Sequence, residues 1–292
     1  MLGLAFGAMH SARRGMGSDV AGSRPYRPGD DIDAIDWASS AKLSAARGQD
    51  EFIVRERYAD EAPYVVCVVD RRPEMAHVGP PLPWLSKPDA VRVSIELVTQ
   101  AAAQARSLVG YVDFRGSEPS WSPPTSEREV RELGANHADQ RGYEAPPNAM
   151  SLALAHLAEH RRSLPSGSFV FLFSDFVEPP SEDDWLRSIE LRWDIVPVVI
   201  QDPVWEQTFP YVDNIAFPFA DPRTGRVTHI RMSAEEANAR REHNEERLRS
   251  LFRHLRMLGV EPILVSSADP QQILLAFSGW TEQRLAQRGA GW

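Results

Sequence analysis

The sequence predicts an α/β protein: a mainly parallel central sheet with helices on both faces, plus a smaller β-containing extension at the amino terminus. Three observations predict it. Tyr64-Val65-Val66-Cys67-Val68-Val69-Asp70 is a short apolar run, rich in β-branched residues, that ends on a carboxylate and reads as a strand buried on both faces. Phe169-Val170-Phe171-Leu172-Phe173-Ser174-Asp175 repeats the pattern later in the chain. From residue 63 onward strand-like and helix-like segments alternate, as crossover connections of a parallel sheet require. An acid at the carboxyl end of such a strand sits where open α/β sheets collect ligands. If the two strands are neighbours, Asp70 and Asp175 face one crevice.

The elements follow in order. Met1–Met9 is mildly apolar with no basic stretch ahead of it, and reads as a buried N-terminal segment rather than a signal peptide. Residues 1–60 differ in texture from residues 61–292 and are taken as an N-terminal signature region ahead of the main domain. There Pro28-Gly29 suits a type II turn, and Asp30 or Asp31 can cap a short helical turn carrying Ile32, Ile35 and Trp37. A half-exposed strand is expected from Phe52. The local charge, Arg24, Asp30, Asp31, Asp33 and Asp36, also has a plain reading as solvated loop with local ion pairs.

After the strand at 64–70 a proline-held loop leads to a helix beginning at Ser86-Lys87-Pro88-Asp89, with Val91, Ile95, Val98 and Ala102 on its buried stripe. Val109–Phe114 is the next strand, and 116–147 reads as polar, proline-bearing chain with a short helix at 126–133. A helix over 148–162, the strand at 169–175 and a helix over Glu182–Glu190 follow. In the strand 193–200, Pro197 suggests an edge or a bulge. Ile215–Phe219 and Val227–Met232 make a hairpin around Asp221-Pro222-Arg223-Thr224-Gly225. Ser233 and Glu236 form a capping box for a long helix whose stripe is Leu248, Leu251, Phe252, Leu255 and Leu258 and which Gly259 stops. A strand at 262–265 and a helix at 270–286 finish the chain.

Several classes of function are set aside by composition. A net charge of −9 gives no general attraction to nucleic acid or anionic lipid. The single cysteine, Cys67, lies mid-strand as a packing residue and allows neither an intrachain disulfide nor a thiolate cluster. No stretch approaches the ~20 apolar residues of a membrane helix, so a cytoplasmic location is expected. Phosphate-loop, dinucleotide, zinc-protease and nucleophile-elbow motifs are missing. His156, His160, His243 and His254 fall in charged helices and read as surface residues.

Arg24-Pro25-Tyr26-Arg27-Pro28-Gly29-Asp30-Asp31, followed by Ile35-Asp36-Trp37 and Ser40-Ala41-Lys42, resembles the signature of the bacterial family named domain of unknown function 58. Asp221–Gly225 resembles that family's late turn; Asp33 departs from the basic residue that members usually carry. The resemblance implies a von Willebrand factor type A-like domain and singles out Arg24, Tyr26, Gly29, Asp30, Asp31, Asp36 and Trp37 as a signature loop. A type A domain holds Mg²⁺ or Mn²⁺ with an aspartate and two serines after the first strand, a threonine from a second loop and an aspartate from a third. Here the first loop reads Asp70-Arg71-Arg72-Pro73-Glu74, with Arg72 and Glu74 in place of the serines, and the second loop offers Asn148 instead of threonine. The expected site is therefore a degenerate adhesion site of Asp70, Arg72, Glu74, Asn148 and Asp175, with the Arg72 guanidinium in the cation's place and no cofactor.

The function implied is a non-enzymatic adaptor that couples a MoxR-type AAA+ ATPase to a client protein. The alternative is a divalent-metal-dependent hydrolase or metal-dependent ligand-binding domain that holds Mg²⁺ or Mn²⁺ through Asp70, Glu74 and Asp175. A purely structural subunit is a third reading.

Overall fold

The computed structural model describes residues 14–26, 35–48, 51–58, 64–76, 84–125 and 142–289. In the N-terminal extension, β1 (Arg14–Pro25) and β2 (Ile53–Tyr58) pair antiparallel, and α1 (Trp37–Arg47) lies between them in sequence. The expected cap at Asp30 or Asp31 lies outside the described residues, as do the Met1–Met9 segment and the helix at 126–133. Asp36 caps α1, accepting from the Ser39 N–H at 3.1 Å and the Ser39 hydroxyl at 2.8 Å. Ile35, expected inside a helical turn, instead bridges Val54. Ser40 then ties helix to strand: its hydroxyl donates to the Asp36 carbonyl and accepts from the Ile53 N–H.

The main sheet is built from β3 (Val65–Val69), β4 (Val109–Arg115), β5 (Glu118–Thr125), β6 (Phe169–Ser174), β7 (Asp194–Ile200) and β10 (Ile263–Val265). Its order is β10-β7-β6-β3-β4-β5, with β5 antiparallel and every other pair parallel. Crossover helices are α3 (Lys87–Gln104), α4 (Ala149–Glu159), α5 (Glu182–Glu190) and α6 (Ala234–Met257), with the four-residue α2 (Pro73–Ala76) after β3 and α7 (Pro270–Gly289) closing the chain. Alternate residues of each central strand enter different cores. Val65, Cys67 and Val69 pack with α3 and α7 through residues such as Val98, Ile273 and Phe277. Val66 and Val68 pack with Leu154, Trp185 and Leu255 of α4, α5 and α6. Both faces are thus covered, which is why these strands read as continuous apolar runs.

Two local readings are corrected. The polar, proline-bearing stretch after β4 contains the strand β5, paired in a hairpin on the sheet's edge, where missing N–H groups at Pro119, Pro123 and Pro124 are tolerated. A side chain at Gly110 would meet the Pro124 nitrogen at 2.9 Å, so the irregular register beside Val109 needs glycine. Pro197 lies in β7, an inner strand without a bulge against β6. The three-residue β10 begins its pairing at Val198, so β7 has no ladder partner on that side beside Pro197.

β8 (Ile215–Ala220) and β9 (Val227–Met232) form the expected hairpin, and both halves of the Ser233–Glu236 capping box start α6. Gly259, at φ +71°, follows its end. Among the described residues no helix is long and apolar enough to cross a membrane.

Candidate functional site

β3 lies at the centre of the sheet, between β4 and β6. The chain leaves β3 through α3 on one face and reaches β6 through α4 on the other. That is the topological switch point of a doubly wound sheet, where a crevice opens beyond the strand ends. Asp70 follows β3 there, its N–H donating to the Phe173 carbonyl at 3.0 Å, and Asp175 follows β6. Both carboxylates are fully buried.

The space between them is filled by Arg72. Its Nε and Nη2 donate to Asp70 Oδ2 at 2.9 and 2.7 Å, and its Nη2 also donates to Asp175 Oδ1 at 2.9 Å. The Arg72 N–H returns to Asp70 Oδ1 at 2.9 Å, and the Ser174 hydroxyl donates to Asp70 Oδ2 at 2.6 Å. A rigid fork of donors matches two carboxylates held at fixed strand ends. These acids raise the guanidinium's pKa despite the burial that works against its charge, so Arg72 is a permanent cation.

A second cation completes the cluster. Lys87, the first residue of α3, is buried, and its Nζ donates to Asp175 Oδ2 at 3.0 Å and to Glu206 Oε1. Burial alone pushes the Asp175 carboxyl up, but Lys87, Arg72 and the Val177 N–H outweigh it and hold the group below its ordinary value. Burial dominates at Glu206, whose carboxyl is raised even though Lys87 pulls it down. The loop after β7 clamps this corner. Asp202 accepts from four backbone N–H groups, those of Trp84, Leu85, Val204 and Trp205, and so fixes the chain entering α3.

Arg71 turns towards β4. Its Nε donates to Asp113 Oδ2 at 3.0 Å, the Tyr111 hydroxyl donates to the same oxygen at 2.7 Å, and the guanidinium lies over the Tyr143 ring. Consecutive arginines thus neutralise acids of three adjacent strands: Arg71 that of Asp113 in β4, and Arg72 those of Asp70 and Asp175 just past the ends of β3 and β6.

The expected site residues divide accordingly. Asp70, Arg72 and Asp175 come together. Glu74 lies beside them in α2, with Oε1 accepting from Arg223 Nε at 2.8 Å, which links α2 to the turn of the β8–β9 hairpin. Asp221 shapes that turn by accepting from the N–H groups of Arg223 and Thr224. Asn148 is exposed at the start of α4 and makes no side-chain capping bond. Among the described residues, Asp70, Glu74 and Asp175 do not form a group of three whose oxygens all lie within 4.8 Å of one another. The signature residues belong to the N-terminal extension: Arg24 pairs with Val54, the Tyr26 N–H donates to the Phe52 carbonyl, and Trp37 is 59% exposed with its ring against Phe52. Gly29, Asp30 and Asp31 are outside the described residues.

Sequence reasoning missed Lys87, Asp202, Glu206 and the Arg71–Asp113 pair. Lysine at a helix start is ordinarily solvated, and its partner Glu206 is remote in sequence, so no local pattern points to either. Asp113 at the end of a strand-like run offered the same signal as Asp70.

Comparison with known proteins gives one family. The family described as Protein of unknown function DUF58 matches residues 22–251. Among curated proteins none matches. Of solved structures, the conserved hypothetical protein BatB from Bacteroides thetaiotaomicron is 13% identical, with a TM-score of 0.42 over 77% of this chain and 99% of that one. An aerotolerance-related membrane protein from Bacteroides fragilis is 14% identical, with a TM-score of 0.41 over 74% and 99%. The pilus adhesin SpaC from Lactobacillus rhamnosus GG is 12% identical, with a TM-score of 0.38 over 77% and 30%.

Proposed function

The chain belongs to the DUF58 family, and on that premise we propose that it is a non-enzymatic protein-docking module built on a degenerate metal-ion-dependent adhesion site. The observation that carries this reading is the Arg72 guanidinium seated between Asp70 and Asp175. In that seat it supplies the positive charge that a divalent ion would otherwise bring to these acids. Their oxygens are engaged by Arg72, Ser174, Lys87 and the Val177 N–H, so neither acid is placed to act as a base. Glu74 is turned to Arg223, which leaves the hydrolase alternative without its third ligand.

The working surface is the exposed rim of the crest, the sheet edge where β3 and β6 end at Asp70 and Asp175: Glu178, which is 65% exposed, and the Arg223–Glu74 pair, with Trp37 as a separate aromatic contact of the extension. The resemblance of the signature supplies the partner class, a MoxR-type AAA+ ATPase together with a client protein. The test is a direct binding measurement between the purified full chain and the MoxR-type ATPase of its own cell, with and without ATP. Saturable binding that Arg223→Glu or Trp37→Ala weakens about tenfold, while far-UV dichroism is unchanged, is expected. Absence of binding under both nucleotide conditions refutes the ATPase partnership.

A further inference from the structure

A second cluster stands away from the crest. α4 begins beside the crest, where the Ala145 N–H donates to the Arg71 carbonyl, and carries its last turn towards the opposite end of the sheet. That turn reads His156-Leu157-Ala158-Glu159-His160. Side chains at i, i+3 and i+4 share one helix face. A ring nitrogen of each histidine and a Glu159 carboxylate oxygen all lie within 4.8 Å of one another.

We propose that His156, Glu159 and His160 form a binding site for a divalent transition-metal ion of the imidazole-preferring class, zinc foremost. His160 Nδ1 lies 2.9 Å from the His156 carbonyl, the outer bond that fixes a ligating histidine's tautomer and leaves Nε2 as a bare lone pair. His156 Nε2 is buried and has no hydrogen-bond partner. The two imidazoles are already side by side, their centroids 4.2 Å apart, and Trp121 packs against both as an apolar wall. Two nitrogens and one carboxylate oxygen are the donor set of open zinc sites. Around a tetrahedral zinc with bonds of ~2.0–2.1 Å the ligand atoms stand about 3.3 Å apart. From separations of no more than 4.8 Å the three groups need to close by at most about 1.5 Å, a scale that side-chain rotation covers, Glu159 being exposed. The two nitrogen donors argue against magnesium or calcium, which take oxygen.

The test is calorimetric titration of the chelator-stripped full chain with zinc sulfate. Saturable, equimolar binding is expected. His156→Ala and His160→Ala each weaken it by at least about tenfold, the scale on which even outer-shell partners of a metal act, and Glu159→Gln weakens it less. His243→Ala, on α6, leaves it unchanged. Histidine side-chain nitrogen spectra of the wild-type protein supply a readout independent of any variant, with the His156 and His160 signals moving on zinc addition. No saturable uptake, uptake undiminished in the His156 and His160 variants, or unmoved His156 and His160 signals overturns the site.

Discussion

Replacement of Arg72 by methionine removes the guanidinium at the crest and keeps most of the side-chain volume. In the wild-type chain that side chain is 2% exposed, against carboxylates of Asp70 and Asp175 at 0% and 1%. Without it Asp70 keeps the Ser174 hydroxyl and the backbone N–H of residue 72 but loses its cation, and Asp175 keeps only one of its two. Removing one partner of a buried ion pair costs about 3–5 kcal/mol, because the remaining charge is left without compensation. At about 2–4 °C per kcal/mol for a unit of this size, the melting temperature falls by roughly 6–20 °C. Urea unfolding followed by tryptophan fluorescence measures the first quantity, and scanning calorimetry the second. The acid limb supplies a separate check. Asp175 is held below its ordinary value in the folded chain, so its contribution is present above the unfolded pKa of ~3.9 and is lost as pH falls through the folded value. Arg72→Met brings the folded value back up, and acid unfolding therefore begins at higher pH. Arg72→Lys keeps a charge without the fork and should fall between the two. A loss under about 1 kcal/mol, typical of exposed pairs, with an unmoved acid limb would falsify the buried-cluster account.

Four further outcomes are expected. Asp202→Ala strands four backbone donors that now share one carboxylate, and should cost about 2–4 kcal/mol in urea unfolding, with Asp202→Asn intermediate. Burial pushes the Cys67 thiol up to about 12, so a disulfide reagent at mildly alkaline pH should leave the native chain unmodified and label one thiol after denaturation; prompt native labelling would refute the packing of β3. Asn244 is buried in α6 and donates to the carbonyls of Trp205 and Thr208; Asn244→Ala should lower stability by about 1–3 kcal/mol. Arg223→Ala, by contrast, removes a pair whose side chains are 38% and 32% exposed, and should change stability by less than about 1 kcal/mol. A larger loss there would mean that the hairpin turn is structural rather than part of a docking rim.

The central sheet was legible because burial on both faces leaves a signature in consecutive residues. Val65–Val69 and Phe169–Ser174 have no polar face to alternate with, and their terminal acids mark the carboxyl ends directly. The hairpin at Asp221–Gly225 and the capping box at Ser233 were legible for a similar reason, since a few adjacent residues determine each. β5 was not, because its prolines suit an edge strand only when a partner such as β4 is already known. At the crest, the two strand-end acids and the arginine between them could be named from local sequence. Lys87 could not, because a lysine becomes a buried cation only through Asp175 and Glu206, which the fold brings from distant segments. Glu74 shows the converse. Its spacing from Asp70 placed it in a metal loop, whereas the turn from Pro73 into α2 aims it at a hairpin turn on the other side of the chain's midpoint.

The same cross-links bear on how such a crest can work. Arg72 joins the ends of β3 and β6, Lys87 joins β6 to the start of α3 and the loop after β7, and Arg247 of α6 donates from Nη2 to the Glu206 carbonyl in that loop. A partner that sought to reach Asp70 directly would have to displace a forked guanidinium from two buried acids, at a cost near the several kcal/mol worked above for removing it. Few docking contacts repay that amount, since most interface residues each contribute under about 1 kcal/mol. If the chain docks a partner as proposed, the inner pairs serve as a rigid base and recognition falls to the charges that remain near solvent. On this reasoning Glu178→Lys should weaken partner binding while leaving the urea midpoint within the range of exposed substitutions, whereas Arg72→Met should lower the midpoint first. A variant series in which binding followed the inner pairs at unchanged stability would place the contact inside the crevice instead.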